Sequence, residues 1–173
     1  FVVAEDHWLP PDNYQEHPIA KIAHRTSPTN IGLYLLSTLG AHDFGYISLS
    51  ELIERLSRTF ATLERLQRYH GHFYNWYSTE TLQPLAPLYV STVDSGNLIA
   101  HLLTLRQGLL GLRDAAAVRT RSVWAGLRDT LSVAIEAGPE PDRERWTPFL
   151  RALDEHGASA PNTASGLLGA LAA

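Results

Sequence analysis

The sequence contains no cysteine. That excludes disulfides, thiolate metal sites and a cysteine nucleophile. Methionine is absent too, so the chain lacks an initiator and reads as an internal fragment. Basic charge is scarce: 14 Lys and Arg face 18 Asp and Glu, a formal net charge of −4 at pH 7. Nucleic-acid binders need a clustered basic face, which this balance does not supply. No window reaches the roughly 18 uncharged apolar residues that a membrane span needs. The most apolar stretch, residues 98–112, is interrupted by His101 and Arg106. Phe1-Val2-Val3-Ala4 runs straight into Glu5 and Asp6 and does not read as a signal peptide. Phosphate-binding glycine loops, the HExxH zinc motif and the G-x-S-x-G elbow are all missing. So is Asp-x-Asp, which leaves a metal-held nucleotide-sugar site without support. No cofactor is implied.

What is present is a chain of 173 residues, long enough for one domain with a real core. Hydrophobic residues make up 45% and charged residues 18%, ordinary for a globular protein. The pattern predicts an all-α chain of antiparallel helical layers. Ser27-Pro28 is a cap followed by a first-turn proline, and Ile31, Leu35, Leu36 and Leu39 follow at helical spacing to a stop near His42. Ser48 and Glu51 form a capping box ahead of a stripe of Leu49, Leu52, Ile53, Leu56, Phe60, Leu63 and Leu66. The opposite face, with Glu54, Arg55, Arg58, Glu64, Arg65 and Arg68, reads as solvated. A third helix is expected from a cap at Asp94 or Ser95, carrying Leu98, Leu102, Leu105 and Leu109. A fourth runs from about Ala115 to Ala137, a fifth starts at Thr147-Pro148 and stops at Gly157, and a last apolar helix follows Asn162 or Thr163.

Two long segments break the helical pattern. Residues 1–26 read as ordered loop. Residues 72–92 read as a short β-hairpin or an extended aromatic loop, because Phe73, Tyr74, Trp76, Tyr77, Leu88, Tyr89 and Val90 suit a pleated backbone and Pro84 and Pro87 interrupt it. Both segments mix flat rings with planar polar groups. The first holds Trp8, Asp12, Asn13, Tyr14, Glu16, His24, Arg25 and Asn30; the second holds Asn75, Trp76, Tyr77, Asp94 and Asn97. Rings cover the C–H face of a pyranose, and amides, carboxylates and guanidinium engage its hydroxyls. These thirteen are the candidate substrate-binding residues. Short connections imply helices that alternate in direction, which brings both segments to one end of the layer. The bland reading is that the rings are core anchors and the polar groups helix caps. Asp12, Glu16 and Asp94 are the carboxylates available for acid–base work, but none is singled out as catalytic. His70-Gly71-His72 offers two imidazoles without an evident third ligand, so no metal site is assigned.

Four motifs in order carry a resemblance. They are Trp8-Leu9-Pro10-Pro11-Asp12-Asn13-Tyr14-Gln15-Glu16, residues 24–32 from His24-Arg25-Thr26-Ser27-Pro28 to Gly32, residues 71–77 from Gly71-His72-Phe73 to Tyr77, and residues 89–98 from Tyr89-Val90-Ser91 to Leu98. Together they resemble the opening of the glucoamylase-like region of bacterial cyclic β-1,2-glucan synthetases, over residues 1–112. Residues 113–173 match only as a variable helical continuation of the same domain. The family pattern has Asn at position 7 and Asp at position 78, where this chain has His7 and Ser78; Ser78 therefore takes no catalytic role. The resemblance implies part of an (α/α) barrel whose mouth acts on β-1,2-linked glucose chains by glycosyl transfer or cyclisation. It implies a parent in the inner membrane with this region cytoplasmic. It also implies catalytic carboxylates beyond this stretch, and an isolated piece that is inactive and self-associates. The competing reading is a helical interaction or scaffold module with structural aromatic loops. A third is an independent carbohydrate-binding module.

Overall fold

The computed structural model describes residues 1–114, 120–138 and 140–159. The expected helix after Asn162 or Thr163 lies outside them. The chain divides into two compact units, one of Phe1–Leu39 and Ser50–Leu109, the other of Gly40–Leu49 and Leu110–Ala173.

The first unit begins with loop and short strands. β1 (Tyr14–Gln15) pairs antiparallel with β2 (Lys21–Ile22), and β3 (Arg25–Thr26) leads into α1 (Pro28–Asp43). Residues 1–26 were expected to be loop alone. The strands are two residues each, too short for periodicity to show. α1 starts as the sequence predicts: Ser27 Oγ accepts from the Asn30 N–H at 3.3 Å. It buries Ile31, Leu35 and Leu39.

α2 (Leu49–Arg65) differs from its predicted stripe. Leu52, Leu56 and Leu63 are buried, but Leu49, Ile53 and Phe60 are exposed. The buried face has rotated toward Thr59 and Thr62, because both threonines are used to hold a loop. Thr59 Oγ1 donates to the Trp8 carbonyl at 3.1 Å, and Thr62 Oγ1 to the His7 carbonyl at 2.7 Å. His7 and Trp8 are in the left-handed region, φ +53° and +62° respectively, a conformation that non-glycine residues keep only when neighbours enforce it. The polar face of α2 carries Glu51–Arg55 and Glu54–Arg58 ion pairs one turn apart.

The expected hairpin starts earlier than position 72. β4 (Arg68–Tyr69) pairs with β5 (His72–Phe73) across the two-residue turn His70-Gly71. Both turn residues have positive φ, the arrangement whose twist matches paired strands. β6 (Tyr77–Ser78) then pairs with β3, Thr26 opposite Tyr77 and Arg25 opposite Ser78. Residues 88–90 form no strand; the Tyr89 carbonyl accepts from the Asn75 N–H at 2.9 Å. α3 (Thr92–Asp114) follows. Its cap is Ser91, not Asp94 or Ser95: Ser91 Oγ accepts from the Asp94 N–H at 3.1 Å. Leu9, Ile31, Leu35, Leu52 and Tyr77 form the fully buried centre of this unit.

The second unit contains α4 (Thr120–Ala137) and α5 (Glu140–Ser159). They pack as a helical hairpin: Arg128 meets Asp154, and Gly157 lies against Trp124. Neither Thr147-Pro148 nor Gly157 bounds α5, contrary to the sequence reading. Pro148 is interior, where it deprives the Glu144 carbonyl of its usual donor. Gly157 stays helical where Trp124 of α4 crosses it; an added Cβ would sit 3.4 Å from the Trp124 Cβ. Among the described residues no helix is long and apolar enough to cross a membrane.

Candidate functional site

Four sequence-distant segments converge where α1 begins, at Ser27–Asn30. Asp12 is the acceptor for three of its neighbours. Arg25 donates to its Oδ2 from Nε at 3.1 Å and Nη2 at 2.8 Å. Asn13 donates to the same oxygen at 3.2 Å, and Asn30 to Oδ1 at 3.2 Å. The Arg25 guanidinium lies over the Trp76 ring, 4.7 Å from its centroid. β3–β6 pairing produces that contact, since it sets residue 25 beside residue 78.

Trp76 joins this cluster to a second. Asn75 is buried. With its amide turned to suit its neighbours, Nδ2 donates to Asp94 Oδ2 at 2.9 Å, and Oδ1 accepts from Trp76 Nε1 at 2.9 Å and from the Tyr89 hydroxyl at 2.8 Å. Asn97 donates to Thr29 Oγ1 at 3.1 Å. Asp94 accepts from Ser91 Oγ at 2.7 Å. Burial pushes its carboxyl up, but hydrogen bonds from Ser91, Thr29 and Ser27 and the Thr29 N–H outweigh that and hold it below the ordinary 3.8. Its donors come from the first turn of α1 and the cap of α3, where helix dipoles favour an anion. An ionised, donor-saturated carboxylate is a poor proton donor. The geometry makes Asp94 an anchor for Asn75, and through it for Trp76.

The thirteen predicted residues separate into groups. Asp12, Asn13, Arg25, Asn30, Asn75, Trp76, Asp94 and Asn97 belong to the connected network just described. Tyr14 is exposed and stacks on Phe1 at 4.8 Å. With Asp12, Asn13 and Asn30 it lines an open groove of about 530 Å³. Glu16 is exposed immediately after β1. Trp8 lies instead against α2, its ring under Arg58 at 5.0 Å. Tyr77 is wholly buried. Its hydroxyl accepts from the Tyr74 N–H and donates to the Gln67 carbonyl, each at 2.7 Å, so that ring serves the core.

His24 points into a different set of partners. Its Nδ1 lies 2.8 Å from Asp6 Oδ1, which also accepts from Thr79 Oγ1. Asp6 is buried. The Asp6 hydrogen bond raises the His24 pKa above 6.5 despite some desolvation. Sequence reading missed Asp6 and Thr79, which lie 73 residues apart; no local pattern links them. Among the described residues no group of His, Asp and Glu could hold a metal ion.

No family model matches the chain. Over 164 residues, 94% of its length, it is 42% identical to the cyclic beta-(1,2)-glucan synthase NdvB of Rhizobium meliloti (strain 1021), and it spans 6% of that protein. A solved structure of a glucoamylase-like protein from Bacteroides fragilis NCTC 9343 aligns with a TM-score of 0.51 at 23% identity, over 60% of this chain and 26% of that one. That likeness supports the helical architecture expected for part of an (α/α) barrel. The chain is thus similar in sequence to a segment of a cyclic β-1,2-glucan synthase and in fold to part of a glucoamylase-like protein.

Proposed function

We propose that residues 1–112 supply part of the glucan-binding wall of a domain that transfers or cyclises β-1,2-linked glucose chains. Residues 113–173 continue the same domain. One observation carries this reading: hydrogen bonds and the Arg25–Trp76 ring contact together link Asp12, Arg25, Asn30, Asn75, Trp76 and Asp94 beside a groove lined by Tyr14. It offers rings and planar polar groups together, the combination a sugar needs. The 42% identity to a cyclic β-(1,2)-glucan synthase supports the choice of glucan. The parent is an inner-membrane enzyme with this region on the cytoplasmic side, and its reacting carboxylates lie outside this stretch.

The network residues act by positioning. Asp94 fixes Asn75, Asn75 fixes the Trp76 indole, and Asp12 holds the Arg25 guanidinium over the same ring. Trp76→Ala in the full-length enzyme lowers glucan synthesis or cyclisation about tenfold, the equivalent of a ring contact of about 1–1.5 kcal/mol, while the melting temperature falls little. Product formation and thermal melting, measured side by side, check it. Parallel loss of both would favour the rival reading, a helical scaffold with structural aromatic loops. The burial of Tyr77 and Leu9 is what that rival would cite.

The isolated chain is inactive and self-associates, because helices cut from a ring expose flanks that neighbours normally cover. Val133, Leu127 and Phe149 are such exposed residues in α4 and α5. The Ser165–Ala173 segment, also expected to take part, lies outside the described residues. Light scattering at low micromolar concentration tests this; a clean monomer would end it.

A further inference from the structure

Seven residues outside the predicted site enclose a second concavity. Tyr69, His70, His72, Tyr74, Leu88, Tyr89 and Val90 line a cavity of about 480 Å³, within the roughly 300–1,000 Å³ typical of small-molecule sites. Five of the seven carry rings. The β4–β5 hairpin presents them, and its His70-Gly71 turn is fixed by two positive-φ residues. Tyr69 meets His70 edge-on at 4.4 Å and tilts toward Tyr74 at 6.4 Å, so the rings stand at angles around a hollow. Tyr69 and Tyr89 are about half exposed. A purely structural cluster would bury its rings, as Tyr77 is buried.

One residue ties the cavity to the network. Tyr89 lines it, and the Tyr89 hydroxyl is bonded to Asn75 at 2.8 Å. A chain held against Trp76 and extended toward the hairpin would meet the Tyr89 ring. Leu88 and Val90 supply apolar floor, and the imidazoles of His70 and His72 supply polar atoms at the rim. Rings, apolar floor and hydroxyl-binding groups together suit a pyranose better than an aliphatic or anionic ligand.

We propose that this cavity is an additional sugar subsite that receives glucose units of a β-1,2-glucan beyond those held at Trp76. The proposal rests on the glucan-binding reading above and deepens it. It makes Tyr69 a determinant of chain length, not of basic recognition.

The test uses the full-length protein and linear β-1,2-glucooligosaccharides of increasing length, with affinity measured by calorimetry. Tyr69→Ala weakens the longest oligosaccharides about fivefold to tenfold, the scale of one lost ring contact, and leaves the disaccharide unchanged. Tyr69→Trp, which keeps a ring, retains tight binding of long chains. Trp76→Ala weakens every length. If Tyr69→Ala changes no length while Trp76→Ala still weakens all, the subsite is overturned and the glucan-binding reading stands. If neither substitution alters binding of any length, both fall. A photoactivatable group at position 69 that captures another segment of the same protein, with glucan failing to compete, would also overturn the subsite: the rings would then be a domain interface.

Discussion

The two units are held together in different ways. In the first, loops are pinned by side chains reaching backbone across long sequence distances: Thr59 and Thr62 to residues 8 and 7, Tyr77 to Gln67 and Tyr74, His7 to Thr79. In the second, the turn after α1 meets α4 backbone to backbone. A Cβ at Gly45 would collide with the Ser122 carbonyl, and one at Gly126 with the carbonyls of Gly45 and Phe44. The exposed pairs there, Tyr46 with Asp129 and Arg128 with Asp154, are worth little. Directional polar bonds fix irregular backbone and leave rings and amides aimed outward. Close glycine contacts fix only how helices approach. The difference shows why the network of rings and amides is held in the first unit.

The sharpest way to break the comparison is to add a methyl group. Gly45→Ala meets both a backbone collision and a φ of +78°. It is expected to cost about 3 kcal/mol, the range of overpacking and backbone strain together. Gly40→Ala is the control: nothing lies within 4 Å of the new methyl, and alanine in a helix gains about 0.5–1 kcal/mol over glycine. Urea unfolding of the two variants should shift in opposite directions. Equal shifts would mean that the glycine contacts of the second unit do not matter. Next in size is Tyr77→Phe in the first unit. Removing its wholly buried hydroxyl strips the Gln67 carbonyl and the Tyr74 N–H of a partner, a loss of about 1 kcal/mol. Unfolding without that loss would show that the loop bonds are decorative.

Local signals were readable where one segment decides its own structure. Ser27-Pro28 and the α1 stripe depend on a few adjacent residues, and the structure follows them. The α2 stripe shifted because Thr59 and Thr62, polar by type, are recruited by the His7–Trp8 backbone. Nothing near residue 59 announces that. The α3 cap moved to Ser91 because Asp94 is taken by α1. α5 ran through Pro148 and Gly157 because packing against α4 outweighs two breakers. The same rule governs the site. Motif composition singled out eight residues that do join one network. Tyr77 carries the same aromatic signal and lies in the core, since ring type alone does not say which face of β6 is buried. Asp6 and Thr79 were illegible because their only link is spatial.

The smallest expected effect is a pH dependence confined to the first unit. Asp6 is buried against Thr79, His24 and His7. Its desolvation raises the carboxyl, yet the hydrogen bonds from Thr79 and His24 and the charges of His24 and His7 bring it below 3.8. That contribution is complete above pH 3.8 and lost as pH falls through the lower folded value. His24 behaves in the opposite sense. Its folded pKa exceeds 6.5, chiefly through the Asp6 hydrogen bond, with Glu80 adding to it. The protonated imidazole therefore stabilises fully below pH 6.5, and the gain disappears as pH rises through the raised value. The two together stabilise most between pH 3.8 and 6.5. The His24 side chain is 41% exposed, so solvent screening keeps the effect small. In the second unit, burial and the bond to Asp129 raise Tyr46 above 10.0, so the contribution of that group is lost only in strong alkali. Melting temperature should thus decline modestly from about pH 6 to about pH 8 in the natural protein and stay level over that range in His24→Gln, which keeps a hydrogen bond to Asp6 without a titrating proton. A decline that survives the substitution would assign the effect to another group and remove His24 as the clamp on the amino-terminal loop.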